Sequence, residues 1–250
     1  MRVLVLQHAV VEHPGVLRDY FRTDGIVWDT VELDEGERIP PLDPYDMMLV
    51  MGGPQDVWQE AEHHWLVEEK AAIRTFVVEM RRPYLGICLG HQLLAEAIGG
   101  RVALAGRAEV GIVPVNMTPA GRADSLFRAL SDPLTVLQWH SAEVKTLPSG
   151  AEALAWSDDC CVQAFRHGPH AYGLQCHVEI TGDTVREWAA IPEYAAALEK
   201  ILGPDAMQTL QDAVAKKLPD FNRDAKILYE NFMSLIRPNL SGEAMRQAYA

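Results

Sequence analysis

The chain is poor in positive charge, and it has no long apolar run. Its 250 residues include 22 Lys and Arg against 35 Asp and Glu, which gives a formal net charge of −13. This deficit argues against sequence-independent binding to nucleic acid, because such binding needs a dense basic face that displaces counterions. No stretch approaches the roughly 18 consecutive apolar residues of a membrane span. We therefore expect neither nucleic acid nor a membrane as a partner.

Cysteine is also scarce, and the four that occur are Cys88, Cys160, Cys161 and Cys176. They match neither a secreted disulfide framework nor a pair of C-x-x-C metal motifs. Adjacent cysteines make strained disulfides, so we expect Cys160 and Cys161 to be core residues. The N-terminus, MRVLVLQHAVVEHPG, has a short broken apolar run and no small-residue cleavage site, which is typical of a first strand rather than a signal peptide. These features predict reduced thiols and a cytoplasmic location.

The first hundred residues alternate between buried strand patterns and amphipathic helix patterns. Strands are predicted at 2–7, 26–33, 45–53 and 83–87, and helices at 15–25, 60–82 and 91–100. This alternation indicates a mostly parallel sheet with helices on both faces, an α/β fold.

The predicted secondary structure changes after residue 100. Short strands are predicted there, separated by Pro, Gly, Ser and Asp turns, with 101–105 and 110–116 as two separate strands. From Thr181 onward the pattern is mostly helical, with 205–218 and 222–236 as distinct helices. We expect a domain over 1–190 and a helical extension over 191–250 packed on the same body.

The segment GICLG, residues 86–90, has the G-x-nucleophile-x-G spacing of a sharp turn from strand to helix. Glycines are needed at its ends because neighbouring backbone comes too close for a Cβ. The N-terminus of the following helix favours a thiolate at Cys88, and the N–H of Leu89 is suited to bind an oxyanion. The alternative is a buried small cysteine in a plain tight turn.

A base for such a nucleophile occurs in GLQCHVE, residues 173–179. His177 and Glu179 are two positions apart, so in an extended chain their side chains leave on the same face. A carboxylate beside an imidazole fixes its tautomer and stabilises the imidazolium. A surface ion pair is the alternative, and a metal site of His177, Glu179 and Cys176 lacks further ligands at a recognisable spacing.

A second oxyanion donor is suggested by the glycine turn of VMGGPQDVW, residues 50–58. The predicted strand ends in this turn at Gly52 and Gly53. Because neither residue has a side chain, their backbone can direct an N–H into the same pocket. A plain turn is the alternative. The chain has no G-x-x-x-x-G-K-[ST] loop, so nucleotide chemistry has no support in the sequence.

Taken together, GICLGHQ at 86–92, GLQCHVE at 173–179 and the Gly-Gly-Pro turn at 52–54 resemble the class I (triad-type) glutamine amidotransferase family. The similarity is greatest to the glutaminase domain of GMP synthase and covers roughly residues 1–190. It implies a flavodoxin-like α/β fold without a cofactor. Cys176 stands where the family has Phe and Val178 where it has Pro, and neither change removes a catalytic group.

The resemblance implies that Cys88 attacks the γ-amide of glutamine and that His177 passes the proton to the leaving ammonia. Glu179 would orient His177, and Gly53 and Leu89 would supply the oxyanion N–H groups. The resulting γ-glutamyl thioester is hydrolysed by water.

The resemblance also implies contacts to the amino-acid end of the substrate. The residues concerned are Gly52, Gln92, Trp139, His140 and Ser141. We expect ammonia to pass to an unidentified acceptor or a separate synthetase subunit, and the chain to be a candidate homodimer. Two alternatives stay open: a stand-alone hydrolase of γ-glutamyl peptides or conjugates with the same triad, and a non-catalytic module that kept the fold.

Overall fold

The computed structural model describes the backbone of residues 1–248 and the side chains of residues 1–237. Nine strands form one sheet in this part of the chain. They are β1 (Arg2–Gln7), β2 (Val27–Glu32), β3 (Met47–Val50), β4 (Tyr84–Ile87), β5 (Arg101–Met117), β6 (Leu134–Thr146), β7 (Ala151–Trp156), β8 (Ala164–His167) and β9 (Ala171–Leu174).

The sheet has a parallel half and an antiparallel half, in the order β2-β1-β3-β4-β9-β8-β7-β5-β6. Strands β2, β1, β3, β4 and β9 run parallel, and β9, β8, β7, β5 and β6 pair antiparallel. Strand β9 joins the halves, with Gly173 opposite Gly86 of β4. The predicted α/β fold with a mostly parallel core is confirmed.

Seven helices surround this sheet within the described residues. They are α1 (Leu17–Thr23), α2 (Trp65–Arg74), α3 (Leu89–Ala97), α4 (Pro119–Ala123), α5 (Thr184–Trp188), α6 (Pro192–Leu202) and α7 (Ala206–Ala248). The predicted helix over 60–82 begins only at Trp65, and after Arg74 it continues as a π-helix over Thr75–Glu79. No described helix has the length and hydropathy needed to cross a bilayer.

Alternation along β1 explains why both faces of the sheet are covered. Val3 and Val5 belong to the buried cluster that includes Phe21 of α1 and Phe232 of α7. Leu4 belongs to the opposite cluster, which α2 and α3 complete. Because successive side chains of a strand leave on opposite faces, one apolar run can hold both helical layers.

The prediction of two strands at 101–105 and 110–116 was wrong. The chain continues as the single strand β5, whose register against β6 shifts between Leu104 and Glu109. An irregularity of this kind absorbs extra residues without ending the strand, so the glycine at 106 does not make a turn.

The prediction of two helices at 205–218 and 222–236 was also wrong, because α7 runs through Pro219. A proline inside a helix costs about 3 kcal/mol. The apolar face nevertheless continues across it, with Val214 and Phe221 buried in one cluster and Phe232 in another. Helix α7 packs against α1, α5 and α6, while the domain division at residue 190 stays a prediction.

Candidate active site

Cys88 stands at the turn between β4 and α3 and has left-handed backbone angles, φ 52° and ψ −105°. Non-glycine residues rarely adopt such angles, so the turn is strained. A Cβ added to Gly86 would lie 2.4 Å from the Gly90 carbonyl oxygen, and one added to Gly90 would lie 2.2 Å from that of Val50. Both glycines are therefore required by close backbone approach, as the spacing predicted.

The Cys88 side chain is 4% exposed. Its backbone N–H donates to the Leu174 carbonyl of β9 at 2.8 Å, which joins the turn to the strand that leads toward His177. The Sγ atom accepts a hydrogen bond from Gln175 Nε2 at 3.6 Å and lies 4.0 Å from the Trp139 carbonyl oxygen. The sulfur is thus surrounded by polar groups from β6 and from the segment after β9.

His177 and Glu179 form a buried pair, each 2% exposed. The Nδ1 atom of His177 lies 2.8 Å from Glu179 Oε1, and Glu179 Oε2 accepts the N–H of Val178 at 2.9 Å. Trp188 of α5 packs edge-on against the imidazole, with ring centroids 4.3 Å apart. The carboxylate and the indole together fix the orientation of the ring.

The imidazole of His177 lies close enough to the Cys88 side chain to interact with it electrostatically. Burial acts to lower the pKa of His177, but the charges of Glu179 and Cys88 outweigh it and raise the pKa well above its ordinary value. The structure therefore brings together the three residues that the sequence singled out. An imidazolium beside a sulfur and a carboxylate is suited to nucleophilic catalysis.

A cavity of about 90 Å³ opens beside Cys88. Most of the residues predicted for the site line it, and these are Gly53, Cys88, Leu89, Gln92, Trp139, His140 and Ser141. Helix α6 adds Glu193, Tyr194 and Ala197 to the same wall, a contribution that the sequence did not indicate. Among the described residues, Gly52 and His177 do not line this cavity, but they lie next to each other, because a Cβ on Gly52 would be 3.1 Å from His177 Cε1.

Two of the cavity residues are held by hydrogen bonds from their side chains. Gln92 Nε2 donates to the Ala142 carbonyl at 3.1 Å and to Gln175 Oε1 at 3.0 Å. The ring of His140 contacts the Ala142 carbonyl through Nδ1 and Glu109 Oε2 through Nε2, both at 2.9 Å. Both ring nitrogens of His140 are therefore engaged in a hydrogen-bond network of the antiparallel half of the sheet.

Glu12 is a buried carboxylate at the site that no sequence motif indicated. Its Oε1 atom accepts a hydrogen bond from the Tyr194 hydroxyl at 2.5 Å, while its Oε2 atom is buried and has no hydrogen-bond partner among the described residues. Ligand atoms of Glu12, His177 and Glu179 all lie within 4.8 Å of one another. Burial raises the pKa of Glu12, and the charge on His177 acts in the opposite direction.

These three side chains have the donor types of a metal site. A second such group is Glu109, His140 and Cys160. There the carboxylate of Glu109 already accepts hydrogen bonds from Ser157 at 2.7 Å and from Gln163 at 2.6 Å. We therefore interpret the second group as a hydrogen-bond network.

The remaining titratable residues of the sequence motifs lie in the core, with one exception. Burial lowers the pKa of His91 to about 3, so this residue is neutral and packs edge-on against Phe165. Burial raises the pKa of Cys176 to about 12. Cys160 is buried as predicted, but the prediction that Cys161 is a core residue was wrong, because its side chain is exposed.

The comparisons with known proteins agree on one family. The profile described as Glutamine amidotransferase class-I matches residues 16–187. The chain is 34% identical over 188 residues to the glutamine amidotransferase-like protein YfeJ of Salmonella typhimurium, covering 74% of this chain and 78% of that protein. It is 35% identical over 140 residues to the glutamine-hydrolyzing GMP synthase subunit of Sulfurisphaera tokodaii, covering 56% of this chain and 70% of that protein.

Two further similarities extend over more of the chain. Gamma-glutamyl peptidase 5 of Arabidopsis thaliana is 29% identical over 199 residues, covering 77% of this chain and 78% of that protein. The crystal structure of a glutamine amidotransferase from Thermotoga maritima superposes with a TM-score of 0.82 at 27% identity. That superposition covers 95% of this chain and 98% of the other, so the shared fold includes the C-terminal helices.

Proposed function

Because the chain belongs to the class I glutamine amidotransferase family, we propose that it hydrolyses the γ-amide of glutamine through a thioester on Cys88. The observation that carries this proposal is the buried group of Cys88, His177 and Glu179. His177 interacts with both other residues, and Cys88 stands at the strained turn beside a cavity.

In the first half of the reaction, the Cys88 sulfur attacks the γ-carbonyl carbon of glutamine. The C–N bond breaks as His177 donates its proton to the leaving nitrogen, so ammonia departs and a γ-glutamyl thioester remains. In the second half, water attacks the thioester while His177 takes one of its protons. Glutamate is released, and the sulfur and imidazolium return to their starting states.

The environment of His177 supports its role as the acid. Its raised pKa keeps the ring protonated at neutral pH, where the departing nitrogen needs a proton. In this mechanism Glu179 holds the ring, and the N–H groups of Gly53 and Leu89 stabilise the oxyanion. Substrate contacts are proposed for the backbone and side chains of Gly52, Gln92, Trp139, His140 and Ser141.

The small cavity supports glutamine as the substrate. Cys88 is nearly buried, Trp188 packs against His177, and Tyr194 lines the cavity. Glutamine releases the smallest possible leaving group, ammonia, so it needs the least room beyond the bond that breaks. Asp56 and Glu193 at the cavity wall suit the α-ammonium group of a γ-glutamyl compound.

Hydrolysis of a γ-glutamyl peptide or conjugate is the second candidate function. It is favoured by the length of the similarity to Gamma-glutamyl peptidase 2 of Arabidopsis thaliana, which extends over 221 residues and 85% of this chain at 27% identity. The alignment with the GMP synthase subunit of Sulfurisphaera tokodaii is shorter, at 140 residues. A separate synthetase partner, a homodimer and a cytoplasmic location stay predictions.

A substrate panel on the purified protein tests both candidates. Glutamine, γ-glutamyl dipeptides and glutathione conjugates are compared, with release of ammonia or amine measured. We expect glutamine to be turned over, and Cys88→Ala to abolish hydrolysis of every compound while thermal unfolding stays unchanged. Fast dipeptide cleavage with slow glutamine turnover would reverse the order of the candidates. Turnover by Cys88→Ala equal to that of the wild type would disprove the thioester mechanism.

A further inference from the structure

His8 follows β1 directly and is completely buried, yet both of its ring nitrogens have partners. Nδ1 lies 2.8 Å from the carbonyl oxygen of Gly52, and Nε2 lies 2.9 Å from Glu69 Oε1 of α2. Both side chains of the His8–Glu69 pair are 0% exposed. Trp65 stacks on the imidazole with ring centroids 5.3 Å apart and planes at 19°. A buried pair this well enclosed is costly to desolvate and calls for a structural or functional reason.

The partners of His8 determine where its protons are. A carbonyl oxygen can only accept a hydrogen bond, so Nδ1 must carry a proton and donate it. Nε2 faces a carboxylate oxygen, which also accepts. Burial acts to lower the pKa of His8, but Glu69 outweighs it, aided by Gly52 and Glu12, and the pKa is raised. The ring is therefore a fixed donor to the Gly52 carbonyl.

The carbonyl that His8 holds belongs to the peptide between Gly52 and Gly53, and this peptide lies across the site. A Cβ on Gly52 would be 3.1 Å from His177 Cε1, and a Cβ on Gly53 would be 2.9 Å from Leu89 Cδ2. The peptide thus extends from the base to the start of α3. Gly53 also lines the cavity beside Cys88.

The direction of the Gly53 N–H follows from the position of the Gly52 carbonyl. The peptide is trans, so its C=O and N–H point in opposite directions. With the carbonyl directed at His8, the N–H is directed away from His8. Within the part of the chain that the structure describes, no backbone acceptor takes this N–H.

Two glycines in succession give this peptide unusual freedom to rotate. Larger residues cannot replace the two glycines to restrict this rotation, because there is no room for a Cβ at either position. A Cβ on Gly52 would lie 2.5 Å from Glu12 Oε2, and one on Gly53 would lie 2.7 Å from His8 Cβ. The restraint must come from a hydrogen bond. His8 supplies this hydrogen bond. Gln55 also connects the turn to His8, because its side chain donates to the His8 carbonyl at 3.1 Å.

We infer that the His8–Glu69 pair orients the Gly52–Gly53 peptide so that the Gly53 N–H stabilises the oxyanion formed at Cys88. His8 is then a positioning residue, one peptide removed from the reacting atoms. This inference rests on the proposed thioester chemistry, in which an acyl carbon attacked by sulfur develops negative charge on its oxygen.

The test uses two reagents that differ in their need for an oxyanion site. All measurements are made in a Cys161→Ser background, which removes the exposed thiol. Acylation of Cys88 by p-nitrophenyl acetate then passes through a tetrahedral oxyanion and releases p-nitrophenolate in a burst. Alkylation by iodoacetamide displaces iodide at a saturated carbon and forms no oxyanion. A residue that orients the Gly53 N–H affects the first rate and leaves the second unchanged. Neither reagent requires a γ-glutamyl group, so the outcome is independent of the natural substrate.

His8→Asn and His8→Gln form a matched pair of variants. The amide nitrogen of Asn is as many bonds from Cβ as Nδ1 and can still donate to Gly52, whereas that of Gln corresponds to Nε2 and faces Glu69. We expect His8→Gln to lower the acylation rate by about 10²-fold, the usual effect of losing an oxyanion donor, and His8→Asn to stay within about fivefold of the wild type. Alkylation rates stay within about twofold for both.

Equal acylation rates in the two variants would overturn the inference. A parallel loss of acylation and alkylation in His8→Gln would also overturn it, because His8 would then act on the sulfur or on the fold. His8→Ala, which removes both hydrogen bonds, provides a second measurement and is expected to match His8→Gln. If the wild type hydrolyses no γ-glutamyl compound while His8→Gln and His8→Asn differ in acylation as expected, the proposed function fails and the inference about His8 stands.

Discussion

Two buried histidine–glutamate pairs lie at the carboxyl end of the parallel half of the sheet. In one, His177 meets Glu179 at 2.8 Å, and in the other, His8 meets Glu69 at 2.9 Å. The pairs differ in what the second ring nitrogen faces. Apart from its carboxylate partner, His177 interacts with the Cys88 side chain, whereas the second nitrogen of His8 faces the carbonyl oxygen of Gly52.

This difference determines what each pair can do. A thiol can give up its proton and take it back, so the His177 pair can move a proton during a reaction. A peptide carbonyl can only accept a hydrogen bond, so the His8 pair can only hold a peptide in place. The pair of His140 and Glu109 resembles that of His8, because its second nitrogen also faces a carbonyl, that of Ala142. In the proposed mechanism, the same two side chains thus serve proton transfer in one place and geometry in another.

Glu179→Gln is expected to have the largest effect, because it removes the charge that supports the His177 imidazolium. We expect kcat to fall by about 10²- to 10⁴-fold, as for the loss of the orienting carboxylate in other triads. The pKa of His177 should fall toward its ordinary value. Since the reaction needs the imidazolium, activity would then be lost at a lower pH, and the alkaline limb of the kcat/KM profile should move down. An unchanged alkaline limb would contradict this assignment.

Glu69→Gln makes the same change in the second pair and should have a smaller effect. The donor to Gly52 is Nδ1, and it keeps its proton when Nε2 loses its carboxylate partner. We expect acylation by p-nitrophenyl acetate to fall by less than about tenfold, with the alkaline limb of the pH profile unchanged. If this variant shifted the pH profile as much as Glu179→Gln, the two pairs would not have distinct roles.

Glu12→Gln should have the smallest effect of the three. The variant keeps an oxygen that can accept from Tyr194, but it removes an ionisable carboxyl group that interacts with His177. We expect a fall in kcat/KM of about two- to fivefold and a downward shift of the alkaline limb smaller than for Glu179→Gln. Tyr194→Phe, which removes the hydroxyl and leaves the carboxylate, is the matched control and should leave the position of that limb unchanged.

The residues of the His177 pair and its neighbour Cys88 could be singled out from the sequence because their signals are local. Gly86, Cys88 and Gly90 lie within five residues, and His177 and Glu179 are two positions apart on one face of an extended segment. Local spacing of this kind reflects backbone geometry, which short motifs encode directly.

The contacts of His8 and Glu12 could not be predicted, because the partners of these residues are far away in the sequence. His8 and Glu69 are separated by 61 residues, and Glu12 and Tyr194 by 182. Nothing near either residue signals its partner, since the contact exists only after β1, α2 and α6 have packed. One weak signal was available: His8 directly follows a buried parallel strand, at the sheet edge where sites of this fold class lie.

The contact between Glu12 and Tyr194 has a consequence for engineering. Both residues, together with His8 and Trp188, fall outside the segment 16–187 that matches the family profile. A chimera that borrowed only this shared segment would inherit the nucleophile and its base. It would lose the donor to the glycine peptide, the aromatic ring against the base and one wall of the pocket. Grafts of this catalytic unit should therefore retain both flanks, from the first strand through helix α6.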